Sequence, residues 1–166
     1  MAAPASIKDR VARVLKDEAR KGECTKETVV LLAMNASRGQ GDFGLSRSEL
    51  LMSARAIYSR EVDRQLKQGL PDNLIHDAMR NARLPDLVQI LKRLPAWIAV
   101  SEGREAKWIP ALRATPEQWL ANYELKQCKS DQTQTRADES REIVDYLIRY
   151  GMHSLEDALP MDVSAA

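Results

Sequence analysis

The chain has 166 residues, 44% of them apolar and 30% charged, which excludes a disordered chain and fits one domain, or a small domain with a helical appendage. Its 25 basic and 24 acidic side chains leave a formal net charge of +1, so any basic surface has to be local. One Phe among eight aromatics leaves Leu, Ile, Val, Ala and Met to fill the core, a composition that helix packing accepts.

Ser6 is placed to cap a first helix from Ile7 to about Lys21, with Val11, Val14, Leu15 and Ala19 on one face and Gly22 as its stop. Met1 to Ser6 lacks the basic start and apolar run of a signal peptide. Thr25 opens a second helix, apolar nearly all round from Val29 to Met34 and so expected at the centre of the core. The loop Arg38-Gly39-Gln40-Gly41-Asp42-Phe43-Gly44 follows. A phosphate-binding loop needs Gly-Lys-Ser/Thr opening a helix after a strand, and this segment has no such Lys, so it is read as a flexible connector.

Ser46-Arg47-Ser48-Glu49 is a capping box and starts a long helix to about Gln68, striped by Leu50, Ala54, Ile57, Tyr58, Val62 and Leu66. Asp72 is expected to cap a helix over Asn73 to Ala82. Pro85 precedes another over Asp86 to Leu94, which Pro95 closes. Ala96 to Val100 and Lys107 to Leu112 flank the turn signal Ser101-Glu102-Gly103-Arg104, which predicts a β-hairpin with Pro110 confining its second strand to an edge. Thr115-Pro116-Glu117-Gln118 starts a long helix that runs to about Tyr150 through a polar stretch, Lys129 to Arg141, either an exposed spacer or a break. Ser154 caps a last short turn through Leu159.

Helix, turn, helix, hairpin over Asp72 to Trp119 resembles the winged helix-turn-helix family of DNA-binding proteins. Ala78 stands where that motif needs a small residue at the helix crossing, Ala82 where the first helix ends, and Val88 and Leu91 at its buried branched positions. Arg83 departs from the pattern, where an apolar residue is usual, and Leu84 next to it fills that role with a one-residue shift. The fold class expected is mainly α. A helical domain over 1–114 contains the winged helix-turn-helix with one small β-hairpin, and a long C-terminal helical segment over 115–166 follows.

What the resemblance implies is duplex DNA binding without a cofactor, as a transcriptional regulator or a phage or mobile-element replication or partition factor. Asp86 to Leu94 would be the recognition helix, presenting Gln89, Lys92 and Arg93 to base edges. Arg80 and Arg83 would hold phosphates, and Arg104 and Lys107 would sit on the wing. The charge from Asp72 to Arg113 is modest, seven cations against five anions, and the wing itself is neutral. A competing placement puts the contacting surface on the helix Ser46 to Gln68, which carries Arg47, Arg55, Arg60, Arg64 and Lys67.

In winged-helix regulators the helix after the wing often dimerises the protein. Trp119, Leu120, Tyr123, Ile143, Val144 and Leu147 would then face a second copy or a host protein; intramolecular packing is the alternative. A second function class is an all-helical adaptor or inhibitor that binds a host protein, which balanced charge and Trp97, Trp108 and Trp119 favour. No cluster argues for an enzyme or a metal site: His76 and His153 are far apart, no carboxylate pattern has ligand spacing, and there is no nucleophile elbow. Cys24 and Cys128 read as free thiols, and with no membrane-length apolar run the expected location is cytoplasmic.

Overall fold

Side-chain caps start four helices where the sequence places them. A computed structural model describes residues 5–36, 38–39, 42–102, 105–127 and 134–159, and the side chains of all of these except 102 and 134–137. Helix α1 (Ile7–Arg20) is capped by Ser6, whose Oγ accepts from the Asp9 amide at 3.3 Å. Strand β1 (Cys24–Thr25) leads straight into α2 (Lys26–Asn35), which Thr25 caps through the Thr28 amide at 3.3 Å. Helix α3 (Arg47–Gln65) begins with the expected capping box: the Glu49 amide donates to Ser46 Oγ at 3.3 Å and the Ser46 amide to Glu49 Oε2 at 2.7 Å.

The next two helices start differently from the sequence expectation. Helix α4 is Asp72–Asn81, with Pro71 rather than Asp72 in the cap position and no side-chain cap. Helix α5 is only Leu87–Arg93, because Asp86 takes a left-handed conformation at φ 62° just before it. Asp is among the few residues that tolerate this region, so the backbone turns there without a glycine.

Strands β2 (Trp97–Glu102) and β3 (Glu105–Pro110) form the expected hairpin, in register Ile98 opposite Ile109 and Val100 opposite Lys107. β1 pairs antiparallel with β3, Cys24 opposite Trp108, so the sheet order is β1-β3-β2. Pro110 therefore does not mark an edge strand. β3 is central, and the missing amide does no harm because two-residue β1 reaches only Lys107 and Trp108.

Along β2 the faces alternate, and each face meets its own core. Trp97 and Trp108 pack against a cluster made by α1, α2 and α3, centred on Val11, Leu15, Val30, Leu50 and Ala54. Ile98, Val100 and Ile109 belong to a second cluster with Leu87, Leu91, Trp119, Leu147 and Leu155. Helix α2 is less central than its composition suggests: Val29, Val30 and Ala33 are buried, but Leu31 and Leu32 are exposed.

Helix α6 (Pro116–Gln127) starts with the reciprocal Thr115–Gln118 cap, at 3.0 and 3.3 Å. Helix α7 (Gln134–Tyr150) packs back against it. Since α6 and α7 pack side by side, they are two helices rather than one straight helix; residues 128–133, with Cys128 among them, lie outside the described residues. The apolar residues set aside for a partner helix are mostly used within the chain: Trp119, Ile143, Val144 and Leu147 are all buried and Tyr123 is half-buried, while Leu120 remains exposed, as does Ile148 on α7. Their cluster also holds residues from Leu70 to Ala114, so the core of the segment 115–166 is shared with the chain before it.

Two features position the rest. The chain leaves the end of α3 and returns to it: the Trp97 amide donates to the Leu66 carbonyl at 3.1 Å, the Ala96 amide to Gln68 at 2.6 Å, and Gly69 bridges to Pro95. Helices α4 and α5 are thus an excursion between α3 and β2. The open edge of β2 is sealed by α6, where buried Asn122 donates to the Ala99 carbonyl at 2.6 Å and accepts from Ser140 Oγ at 3.0 Å. Asn122→Ala strips the edge carbonyl of that donor and is expected to cost about 1–3 kcal/mol. A urea titration checks it: the midpoint falls with the slope unchanged, whereas an unchanged midpoint would show the edge sealed without Asn122.

Candidate nucleic-acid interface

Helices α4 and α5 hold three of the six cations expected to touch DNA, and their connector a fourth. Arg80 is exposed on α4, Arg83 in the connector, and Gln89, Lys92 and Arg93 on α5. Ala78 and Leu91 are buried, but Val88, expected to be buried beside Leu91, is only half-buried. Yet α5 does not stand free of α7. Arg93 reaches across to Glu142 at 3.2 and 3.3 Å, and its Nε donates to the Gln89 carbonyl at 3.3 Å. A cleft of about 280 Å³ separates the two helices, lined by Asp86, Gln89, Arg93, Glu142, Asp145 and Arg149 among others. Three carboxylates against two guanidiniums make this surface unwelcoming to a polyanion. Tyr146 closes the cleft floor, its hydroxyl donating to the Pro85 carbonyl at 2.7 Å; burial, then Tyr150 and Asp86, push its pKa up to about 12. Of the two wing residues, Lys107 is half-buried on β3 and lies 3.6 Å from Glu23, and Arg104 is outside the described residues.

Helix α3 presents a different face. Its buried side is Leu50, Ala54, Tyr58 and Val62, and Glu61, also buried, is neutralised within the helix. Arg64 donates to Glu61 Oε2 at 2.7 and 3.1 Å and Gln65 at 2.7 Å, and the Arg64 guanidinium holds the Glu61 carboxyl below its ordinary range against the opposing effect of burial. Its exposed residues are Arg47, Ser48, Glu49, Met52, Arg55, Ala56, Ser59, Arg60, Asp63 and Arg64, so two carboxylates share the surface with the arginines, and Lys67 lies just past the helix end. Arg47 and Arg60 make no ion pair among the described residues. Arg55 has only a long contact with Glu27, 3.5 Å between two well-exposed side chains, which is worth little in water. Three guanidiniums are therefore available to an outside anion.

The loop before α3 fixes where that helix points. It is expected as a flexible connector, but its described part is tied to α1. Asp42, buried, forms an ion pair with buried Arg10 and accepts from the amides of Gly39 at 2.9 Å and Ile7 at 3.2 Å. Arg10 also donates to the carbonyls of Ala33 at 2.9 Å and Ala5 at 2.8 Å. Burial works to raise the Asp42 pKa, but the Arg10 guanidinium and the two amides overcome it and hold the carboxyl below its ordinary value. Gly39 passes so close to Ala5 that a Cβ there would lie 2.2 Å from the Ala5 carbonyl oxygen, which explains the glycine.

The remaining reactive groups offer less. Cys24 is buried, and burial, with Glu18, pushes its thiol up to about 11, so it carries almost no thiolate at neutral pH. His76 and His153 are exposed. Among the described residues no group of three or more His, Cys, Asp and Glu is placed to hold a metal ion, and no helix is long and apolar enough to cross a membrane. No protein-family model matches this chain, and neither a curated protein nor a solved structure matches it.

Proposed function

We propose that this chain binds duplex DNA as a winged helix, with α3 rather than α5 entering the major groove. The observation that carries this is the chain order α1, β1, α2, α3, α4, α5, β2, β3 combined with the sheet order β1-β3-β2. Setting aside the α4–α5 excursion, α1, β1, α2, α3, β2 and β3 follow one another as the parts of a winged helix do, α2–α3 being the helix-turn-helix and β2–β3 the wing. The available arginines on α3 and the acidic surroundings of α5 favour the same assignment. Regulation of transcription, or replication or partition of a phage or mobile element, are the roles such a protein serves, and none needs a cofactor.

Titration against a random-sequence duplex tests the reading. Arg47, Arg55 and Arg60 bound to phosphates give a log–log salt slope of about −3. Absence of binding at low salt, or binding that ignores salt, overturns it.

A second reading is an adaptor for a host protein. Exposed Leu31, Leu32, Phe43 and Met52 favour it, since a chain that binds only phosphates gains nothing from them. The exposed Leu120 and Ile148 on the C-terminal hairpin offer a surface for a host protein or for a homodimer. Recovery of one stoichiometric host protein by a chain that ignores DNA would select this reading.

A further inference from the structure

We propose that the junction of α5, α6 and α7 is a site for one ordered water molecule, which accepts from the Trp119 indole and donates to the Glu139 carboxylate. Two separate observations point to it. Trp119 is 1% exposed, and its indole N–H finds no acceptor among the described residues. A buried donor left without an acceptor is costly, so something has to meet it. Trp119 also lines a small cavity of about 20 Å³, together with Ile90 of α5 and Ile143 of α7. One water needs roughly 10–15 Å³, so the cavity has room for one and for little else. The other buried polar atom without a partner, Tyr58 Oη, sits beside the Cys24 thiol and lines neither this cavity nor the cleft next to it.

The polar part of the wall selects the guest. Arg93 and Lys126 bring positive charge and Glu139 and Glu142 negative charge, so the wall is balanced. Arg93 is already paired with Glu142 at 3.2 Å, and Lys126 donates to Ser140 Oγ at 2.8 Å. Half-buried Glu139 makes no ion pair among the described residues. An anion drawn to the indole N–H would meet the Glu139 carboxylate. A cation drawn to Glu139 would meet the indole N–H and Lys126. A guest that both accepts and donates suits both sides, and at this size that guest is water.

The position makes the water a joint. Ser140 donates to Asn122 Oδ1 at 3.0 Å, and Asn122 to the Ala99 carbonyl at 2.6 Å. Donors thus run in one direction from the cavity wall to the edge of β2. The water does on the α5 side what Asn122 does on the sheet side, satisfying a polar group that packing has taken out of solvent. Arg93 and Glu142 are about half exposed, so solvent reaches the cavity between them without the core opening. The site stands whether or not the chain binds DNA.

The test is a rotating-frame NMR measurement on the full chain labelled with heavy nitrogen, with the Trp119 indole proton assigned through its own residue. A cross-peak to water is expected at that proton, with the sign of a dipolar contact rather than of chemical exchange. Its shift should stay in place when bromide replaces chloride. Glu139→Ala should abolish the cross-peak, and Glu139→Gln, which keeps an oxygen acceptor, should retain it. Matched melting curves exclude a folding defect in either variant. Absence of the cross-peak in the wild type overturns the site. A shift that saturates with bromide makes the guest an anion and overturns the water. A cross-peak that survives Glu139→Ala overturns Glu139 as the acceptor.

Discussion

Replacing Asp42 with Ala is expected to destabilise the fold by about 3–5 kcal/mol, because it leaves the Arg10 guanidinium buried without its counter-ion. The Gly39 and Ile7 amides lose their acceptor in the same step. Thermal or urea unfolding reads the loss directly. A double variant, Arg10→Met with Asp42→Ala, should recover part of it, since both charges then leave the interior together. If the single and double variants are equally unstable, the ion pair is not the cause.

The same pair gives a pH dependence with a defined sign. The folded Asp42 pKa lies below the unfolded value, about 3.9 for an ordinary Asp. Its contribution is therefore complete above that value and is lost as the pH falls from there through the folded pKa. Wild-type stability should decline through this acid window, and the Arg10→Met, Asp42→Ala protein should decline less.

The second large effect separates the two helices proposed to touch DNA. Arg55→Ala with Arg60→Ala is expected to weaken duplex binding on the order of tenfold for each arginine, and each phosphate left without its guanidinium makes the salt slope shallower by about 1. Lys92→Ala with Arg93→Ala should leave affinity and slope unchanged. The second pair is a fair control: Arg93 loses exposed bonds to Glu142 and to the Gln89 carbonyl, and the ion pair contributes about 0–1 kcal/mol, so the fold survives. The opposite outcome would return the groove contact to α5, with Gln89 beside it.

Much of the helical framework is written in local signals. Ser6, Thr25, Ser46 and Thr115 each cap the helix that follows, because a cap needs only neighbours three residues away. The hairpin is legible for the same reason. What escapes local reading depends on distant partners. Strand β1 is two residues long, and one of them doubles as the cap of α2; only its pairing with Trp108 and Lys107 makes it a strand. Without β1 the order β1-β3-β2 cannot be seen, and α4–α5 stands as the helix pair next to the hairpin in sequence.

The ion pair under the loop left one trace. Arg10 sits three residues after Ile7 and four before Val14, on the apolar side of α1, and a charge in that position asks for a buried partner. The sequence offers many carboxylates, and nothing local singles out Asp42, 32 residues away. The basic face of α3 was visible as a row of arginines, but which of them are free depended on Glu61 being folded under Arg64.

The return of the chain from α5 to the end of α3 also orders events in time. The core of the first three helices is closed by Trp97 and Trp108, which are made only after the whole α4–α5 excursion has been synthesised. A ribosome that has released α3 has therefore delivered three helices whose shared apolar face still lacks its lid. The lid arrives with a hairpin whose other face needs Trp119 and Leu147, later still. Neither core can mature alone on the emerging chain, and the sheet between them is the joint at which both become complete.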